Sequence, residues 1–169
     1  MNYNRSPRLS TNSILGSLLV LSLIFSSSVS HAQSPANFSG VWIQDTIKSD
    51  DFYNSFEVKY TITQNLQTFK VIQSLTLKGS TETITSDYSY TLDGKVTTRV
   101  KEGNTEKNSA KWSADKKILT TRSIITYGNE DVGFTETYSL SNNGLVLTVL
   151  KSNIIPGVPE VKQVFNKKH

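Results

Sequence analysis

The sequence predicts an all-β domain, an antiparallel up-and-down meander closed into a barrel of about 8–10 strands. Apolar and polar residues alternate with a period of two over much of the chain after residue 33, for example in residues 56–62, and this alternation is typical of half-buried strands. Turn-forming dipeptides separate the alternating runs. Two of them, Asp93-Gly94 and Asn143-Gly144, favour tight two-residue hairpins.

Ten strands account for the alternating runs. No window of comparable length carries the 3.6-residue apolar stripe of an amphipathic helix. Short connections make consecutive strands antiparallel neighbours, and closure into a barrel hides the edge strands that such a meander would otherwise expose. The predicted strands, in chain order, are 38–44, 56–64, 68–77, 81–92, 95–101, 106–113, 117–127, 134–140, 145–151 and 161–167.

Two connections do not alternate. Residues 45–55 form a long link between the first two predicted strands. Residues 152–160 contain Pro156 and Pro159 beside the apolar pair Ile154-Ile155, and proline cannot donate a backbone hydrogen bond within a central strand. The second segment is therefore predicted to be a mobile loop that covers one barrel mouth or docks a partner protein.

The N-terminus has the three parts of a secretory signal. Two arginines precede an apolar run over 14–25, and Ser30-His31-Ala32 places small residues at positions −3 and −1. A helix of twelve residues rises roughly 18 Å, well short of the membrane core of about 30 Å, which argues against a membrane span. We therefore expect residues 1–32 to be a signal peptide, residues 33–169 to be one barrel domain, and the protein to be periplasmic or secreted.

Composition excludes several classes of function. The chain has no Cys, which excludes thiol chemistry, disulfides and Cys-ligated metals. Two of the 18 Lys and Arg residues and none of the 14 Asp and Glu residues lie in residues 1–32, so the rest of the chain is almost neutral. Its Lys residues are scattered, so we expect no nucleic-acid partner. The only His after residue 32 is His169 at the C-terminus, so we expect no metal site and no cofactor.

Three segments of the chain carry a resemblance to a known family. Asn37-Phe38-Ser39-Gly40-Val41-Trp42 contains a Gly-x-Trp motif, and residues 134–149 and 161–167 form an alternating hairpin and a closing strand. In this order they resemble the first strand, penultimate hairpin and last strand of secreted bacterial lipocalin-like proteins. The resemblance implies a calycin-type barrel with an internal pocket for small, mostly apolar molecules.

The same resemblance implies an Arg placed over the Trp of the first strand. After residue 32 the chain has two arginines, Arg99 and Arg122, and neither lies on the predicted final strand. The chain departs from the family pattern at this position.

Most carboxylates lie at turns or beside Lys residues, but two glutamates share a strand face with apolar residues. Glu136 lies between Phe134 and Tyr138 on the apolar face of its strand, and Glu82 shares the parity of Ile84 near a strand end. An inward Glu would be a structural acid, a ligand anchor or a general base, and the sequence leaves all three open. The inward aromatic residues would be either a packed core or the wall of a pocket. The candidate ligand-binding residues are Tyr60, Phe69, Tyr88, Tyr90, Trp112, Phe134, Glu136 and Tyr138.

Three functions are compatible with these observations. The leading hypothesis is an exported binding protein for a small amphipathic or lipophilic molecule, because tyrosine tips in an aromatic interior would orient a guest. The second is a structural or interaction module of the cell envelope that uses the apolar loop 152–160. The third is a carboxylate-dependent enzyme centred on Glu136, but the sequence has no recognisable catalytic constellation, which favours a non-enzymatic role. A hollow barrel would favour the first hypothesis and a filled barrel with an apolar rim the second.

Overall fold

The structure is a computed structural model that describes residues 34–50 and 54–168. Its described residues form ten β-strands, as the alternation predicted. The predicted signal segment lies outside them, and none of the described segments is a helix long enough and apolar enough to cross a membrane. The strands are β1 (Gly40–Gln44), β2 (Phe56–Gln64), β3 (Thr68–Leu77), β4 (Thr83–Thr91), β5 (Thr97–Lys101), β6 (Asn104–Trp112), β7 (Leu119–Tyr127), β8 (Glu130–Leu140), β9 (Val146–Asn153) and β10 (Val161–Lys167).

The strands form one antiparallel sheet that curls into a nearly closed barrel. Their order is β4-β3-β2-β1-β10-β9-β8-β7-β6-β5. The pairing of β1 with β10 joins the start of the chain to its end, with Trp42 opposite Lys167 and Gln44 opposite Phe165. This arrangement confirms the predicted all-β meander and its lipocalin-like barrel.

Side chains bridge the seam between β4 and β5, the two strands that end the sheet order. The Arg99 guanidinium donates to the Asp87 carbonyl at 2.9 Å, and the Asn108 amide donates to the Ser89 carbonyl at 3.3 Å. Lys101 pairs with the Asp87 carboxylate at 2.8 Å. These contacts satisfy backbone groups of an edge strand that would otherwise invite pairing with another chain.

The eighth strand begins four residues earlier than predicted. Residues 130–133 pair with β7 around a turn at Gly128-Asn129, with Tyr127 opposite Glu130. The polar start of this strand and Gly133 hid it from the alternation pattern. Glycine is required here, because a Cβ at Gly133 would lie 2.1 Å from the Ser123 carbonyl oxygen. β9 likewise runs two residues further than predicted, so the non-strand part of the apolar loop is 154–160.

The two ends of the barrel differ. At one end, here called the closed end, the segment 34–39 crosses the opening: Ala36 donates to the Lys116 carbonyl at 2.9 Å, and Gln64 donates to the Ala36 carbonyl at 2.8 Å. This segment inserts Phe38, which is completely buried. The other end, here called the mouth, carries the described parts of the connection 45–55 and the connections 78–82, 102–103, 128–129 and 154–160.

Candidate ligand-binding site

All eight candidate residues face the barrel interior. Ring contacts that cross the barrel demonstrate this orientation: Phe69 on β3 lies 5.0 Å from Tyr138 on β8, and Tyr88 on β4 lies 5.2 Å from Phe134 on β8 (ring centroids). Strand parity therefore identified the residues of one compartment. A role in ligand binding remains a prediction for each of them.

The closed half of this compartment is packed with aromatic rings. The Phe38 ring stacks on Trp112 at 5.9 Å and meets Phe69 and Tyr138 edge-on at 6.0 Å. Phe38, Phe69, Tyr138 and Trp42 have no exposed surface at all, so they border no void that would admit water. Such contacts add about 0.5–1.5 kcal/mol per pair to ordinary burial. This half is a core that sets the shape of the barrel floor.

Lys167 stands where the lipocalin-like resemblance implies an Arg. Its ammonium lies 5.2 Å from the centre of the Trp42 ring, a cation–π distance. Gly40 makes this contact feasible: it has a φ of +144°, and a Cβ there would lie 2.9 Å from the Lys167 Cε. The glycine of the Gly-x-Trp motif thus leaves room for the cation that covers the tryptophan.

A buried polar group, here called the Glu136 cluster, lies nearer the mouth and comprises Glu136, Tyr138, Tyr60, Gln163 and Lys151. The Tyr138 hydroxyl donates to Glu136 Oε2. Lys151 Nζ lies 3.2 Å from Glu136 Oε1. The Tyr60 hydroxyl faces two acceptors, Glu136 Oε1 at 3.5 Å and Gln163 Oε1 at 3.2 Å. Glu136 is thus inward, as parity predicted, and it is held in an ion pair.

One polar atom of the cluster has no hydrogen-bond partner among the described residues. Gln163 is completely buried, yet its Nε2 is unpaired. Thr121, opposite Glu136 in the β7–β8 register, is also completely buried, and its hydroxyl lies beside that of Tyr90. Leaving a buried polar atom unpaired costs roughly 1–3 kcal/mol. Such a cost within a polar cluster is the pattern expected where a ligand completes the hydrogen bonding.

Three tyrosines of the compartment, Tyr88, Tyr90 and Tyr138, remain protonated donors at neutral pH. Burial, reinforced by the nearby Glu136 carboxylate, raises the pKa of Tyr138 well above its ordinary value. Burial is also the main cause that raises the pKa of Tyr90 and that of Tyr88. Because these hydroxyls keep their protons, they donate to carboxylates or to a guest and do not act as bases.

A second chain of hydrogen bonds runs from the interior to the seam. Tyr90 and Ser123 are joined at 3.0 Å, Ser123 donates to Asn108 Oδ1 at 2.6 Å, and Asn108 donates to Glu106 Oε1 at 2.9 Å. The chain ends where Arg99 Nε meets Glu106 Oε2 at 2.7 Å. It couples the barrel interior to the side chains that hold the seam together.

An aromatic pair separates the Glu136 cluster from the mouth. Phe134 lies one inward position nearer the mouth than Glu136, and its ring meets Tyr88 edge-on across the barrel. Both residues are only partly buried, and Lys151 Nζ lies 3.8 Å from the centre of the Phe134 ring. A cleft of about 240 Å³ opens beside this pair, lined in part by Tyr88, Glu106 and Ile125. The Tyr88 ring is therefore reached from the surface, in contrast to the fully buried rings of the closed half.

Sequence reasoning missed several polar residues of the barrel interior and its rim. Gln163 and Lys151 lie on β10 and β9, and Glu106 and Asn108 lie on β6, where inward polar residues look like solvated ones. On β6 the sequence did indicate inward polar residues, because Glu106 and Asn108 lie on the same face of the strand as Trp112. Glu82, considered for an inward position, is instead exposed in the connection before β4.

The geometry of Glu136 fits a structural acid better than a general base. Tyr138 and Lys151 occupy its two oxygens, and the residue is only 3% exposed. Among residues 34–50 and 54–168, no three His, Asp or Glu side chains come together as metal ligands.

Comparison with known proteins identifies the fold. No protein-family model matches the sequence, and no curated protein matches it. Among solved structures, the chain is similar to a REP1-NXSQ fatty acid transporter, with 13% identity, coverage of 78% of this chain and 96% of the other, and a TM-score of 0.54.

Two further structures show the same likeness. One is secretory abundant heat soluble protein 4 from Ramazzottius varieornatus, with 13% identity, coverage of 81% and 99%, and a TM-score of 0.52. The other is a fatty acid binding protein from Schistosoma mansoni in complex with arachidonic acid, with 10% identity, coverage of 78% and 96%, and a TM-score of 0.51. At such identities the likeness shows a shared fold, an antiparallel lipocalin-like β-barrel.

Proposed function

We propose that this chain is an exported protein that binds a small amphipathic or lipophilic molecule inside its barrel. The observation that carries the proposal is the incomplete polar cluster, in which buried Gln163 Nε2 lacks a partner behind the Tyr88–Phe134 pair. A core built for stability alone would hold apolar side chains at these positions. A guest with a polar end would supply the missing hydrogen bonds and take the place of the partly buried rings at the mouth.

The similar structures support this proposal at the level of fold. Two of the proteins compared above carry fatty acid transport or binding in their names, and one of them was solved with arachidonic acid. The shared barrel encloses one interior, and eight- to ten-stranded barrels are wide enough for side chains or for one small ligand. The likeness does not identify the ligand of this chain, because folds host many functions.

A ligand titration tests the proposal. Trp112 stacks on Phe38 in the closed half, away from the proposed guest, so binding is followed by calorimetry, which should give a saturable heat of binding. The panel contains fatty acids, long-chain alcohols, quinones and aromatic compounds, and native mass spectrometry should show one molecule per chain. A panel in which nothing binds, together with a crystal structure whose barrel is filled by side chains, would contradict the proposal.

One observation favours a second candidate, an interaction module of the cell envelope. Ile155 and Val158 in the loop 154–160 are 47% and 45% exposed, and the closed half of the barrel is already filled. In the isolated protein we expect amide exchange to be faster in residues 154–160 than in 134–149, because prolines limit backbone pairing there. A partner that seats on this loop would slow its exchange, whereas a guest inside the barrel would protect strands β8 and β10.

The proposed export rests on the sequence of residues 1–32. Its test is the intact mass of the protein recovered from the periplasm or the medium, which should correspond to a chain that starts at Gln33. Recovery of the full-length chain in the inner membrane would contradict export without affecting the proposal about the barrel interior.

A further inference from the structure

We propose that the Glu136 cluster selects a guest with a neutral hydrogen-bonding head group, an alcohol or a primary amide, and rejects one with a carboxylate. This inference rests on the proposed binding function and specifies the chemistry of its ligand. It departs from the fatty acids that the names of the similar structures mention.

The cations near the interior are already committed to carboxylates. Lys151 is paired with Glu136 at 3.2 Å, and Arg99 is paired with Glu106 at 2.7 Å and with Asp87 at 3.3 Å. Glu136 and Glu106 are each only 3% exposed, so these pairs are weakly screened by solvent. A guest carboxylate entering beside Glu136 would add a second negative charge where the local cation is already neutralised.

The two phenols of the cluster already use their protons on its acceptors. Tyr60 has one hydroxyl proton and faces two acceptors, an oxygen of Glu136 and the amide oxygen of Gln163. The Tyr138 proton is used on the other oxygen of Glu136. An alcohol or a primary amide brings its own O–H or N–H donor to this group, whereas a carboxylate brings only acceptors.

The one unpaired donor requires an acceptor from the same guest. Gln163 Nε2 has no partner among the described residues, and a hydroxyl or a carbonyl oxygen would accept from it. An alcohol oxygen donates and accepts at once, and so does a primary amide. A head group of this kind pairs the glutamine and brings a donor of its own to the acceptors around Tyr60.

The packing of the barrel sets the orientation of the guest. The closed half is filled by rings in mutual contact, with Phe38 against Phe69, Trp112 and Tyr138, whereas the polar side chains of the cluster, though equally buried, can separate to admit a head group. The apolar tail must therefore extend from the cluster towards the mouth, where the Tyr88–Phe134 pair is partly exposed and Leu75, Ile125 and Phe56 are partly buried. The head group lies deep and the tail displaces the contact between Tyr88 and Phe134.

Three compounds of one chain length test the inference on the unaltered mature protein: 1-dodecanol, dodecanamide and dodecanoate, each measured by calorimetry and native mass spectrometry at pH 7.5. We expect the alcohol and the amide to bind at least about tenfold more tightly than the carboxylate, because the latter leaves the buried groups unmatched. Equal or tighter binding of dodecanoate overturns the head-group inference and leaves the proposed function intact. Binding of none of the three overturns both.

Two variants locate the selectivity. Glu136→Gln removes the charge, retains the shape and releases Lys151, so the affinity for dodecanoate should rise about tenfold while that for dodecanol changes less than threefold. Glu57→Gln, at an exposed position of β2, is the matched control and should change neither affinity. Unaltered selectivity in a folded Glu136→Gln variant overturns the assignment of selectivity to Glu136.

Gln163→Leu provides a second measurement that does not depend on the ion pair. Replacing a buried amide that lacks a partner by an apolar side chain of similar size should preserve folding. The variant should lose about tenfold in affinity for dodecanol and dodecanamide, and its affinity for dodecanoate should stay within threefold. Retained affinity for the alcohol and the amide in this variant overturns the role of Gln163 as the donor.

Discussion

The closed end and the Glu136 cluster are both buried, but they are built from different chemistry. At the closed end, rings meet rings, and the fully buried indole of Trp42 is satisfied, since its Nε1 donates to the Phe38 carbonyl at 2.8 Å. In the cluster, a carboxylate, an ammonium, two phenols and an amide share one small volume, and Gln163 Nε2 remains unpaired. The closed end therefore stabilises the folded state. The unpaired amide of the cluster instead lowers the free energy of unfolding, so a stabilising role does not explain why it is there.

The largest effect is expected where the packing is tightest. Phe38→Ala should lower the free energy of unfolding by about 3–5 kcal/mol, because it removes a fully buried ring that three other rings contact. Urea denaturation followed by circular dichroism measures the change. Leu66→Ala, at a position 91% exposed, is the control and should stay within about 0.5 kcal/mol. A loss below about 1 kcal/mol for Phe38→Ala would mean that segment 34–39 is not an integral part of the core.

The ion pair of the cluster should give the next largest effect. Lys151→Met leaves the Glu136 carboxylate buried without its cation, and breaking such a pair costs about 3 kcal/mol. The double variant Lys151→Met with Glu136→Gln should recover most of this loss, since no buried charge remains. Lys59→Met, on the exposed face of β2, is the matched control. Equal stability of the single and double variants would show that the charge on Glu136 does not matter to the fold.

A smaller change in stability and a clear change in kinetics are expected at the mouth. Phe134→Ala should cost about 1–2 kcal/mol, less than Phe38→Ala, because the ring is only partly buried. It should also speed the dissociation of bound dodecanol about fivefold or more, since the ring pair with Tyr88 covers the cluster. Stopped-flow displacement measures the rate, with Val100→Ala, 74% exposed, as the control. An unchanged dissociation rate would exclude the ring pair as a barrier to exit.

The sequence predicted the aromatic closed end better than it predicted the contacts of the Glu136 cluster. Strand parity depends only on the period of two, so it placed Tyr60, Tyr88, Phe134 and Glu136 on inward faces without any knowledge of strand order. The aromatic half of the barrel could be recognised in this way because its inward residues are apolar. The ten strands were predicted from the same alternation of apolar and polar residues.

The contacts of the cluster could not be predicted, because they depend on how the sheet closes. Lys151 meets Glu136 through the register of β8 and β9, and Gln163 meets Tyr60 only once β10 has joined β1. These partners lie 15 and 103 residues apart. The same closure brings Lys167 over Trp42, a contact that a search for arginine on the last strand would overlook.

The smallest effect is expected at the seam, where the groups are most exposed. The pKa of Asp87 is lowered, chiefly by the hydrogen bond from Lys101 and further by Arg99, with burial opposing them. A carboxylate whose pKa is lower in the folded state stabilises the protein above its unfolded pKa of about 3.9 and loses that contribution as the pH falls through the folded pKa. Asp87→Asn should therefore cost more stability at pH 6 than at pH 2.

The size of this effect is limited by solvent. The Asp87 side chain is 40% exposed, so the loss at pH 6 should not exceed about 1 kcal/mol, and 0.5 M NaCl should reduce it further. Urea denaturation of the parent and of Asp87→Asn at the two pH values measures the difference, with Glu57→Gln as the exposed control. An equal loss at pH 6 and pH 2 would mean that Asp87 holds the seam through its neutral hydrogen bonds. The ion pairs with Lys101 and Arg99 would then contribute little to the closure of the barrel.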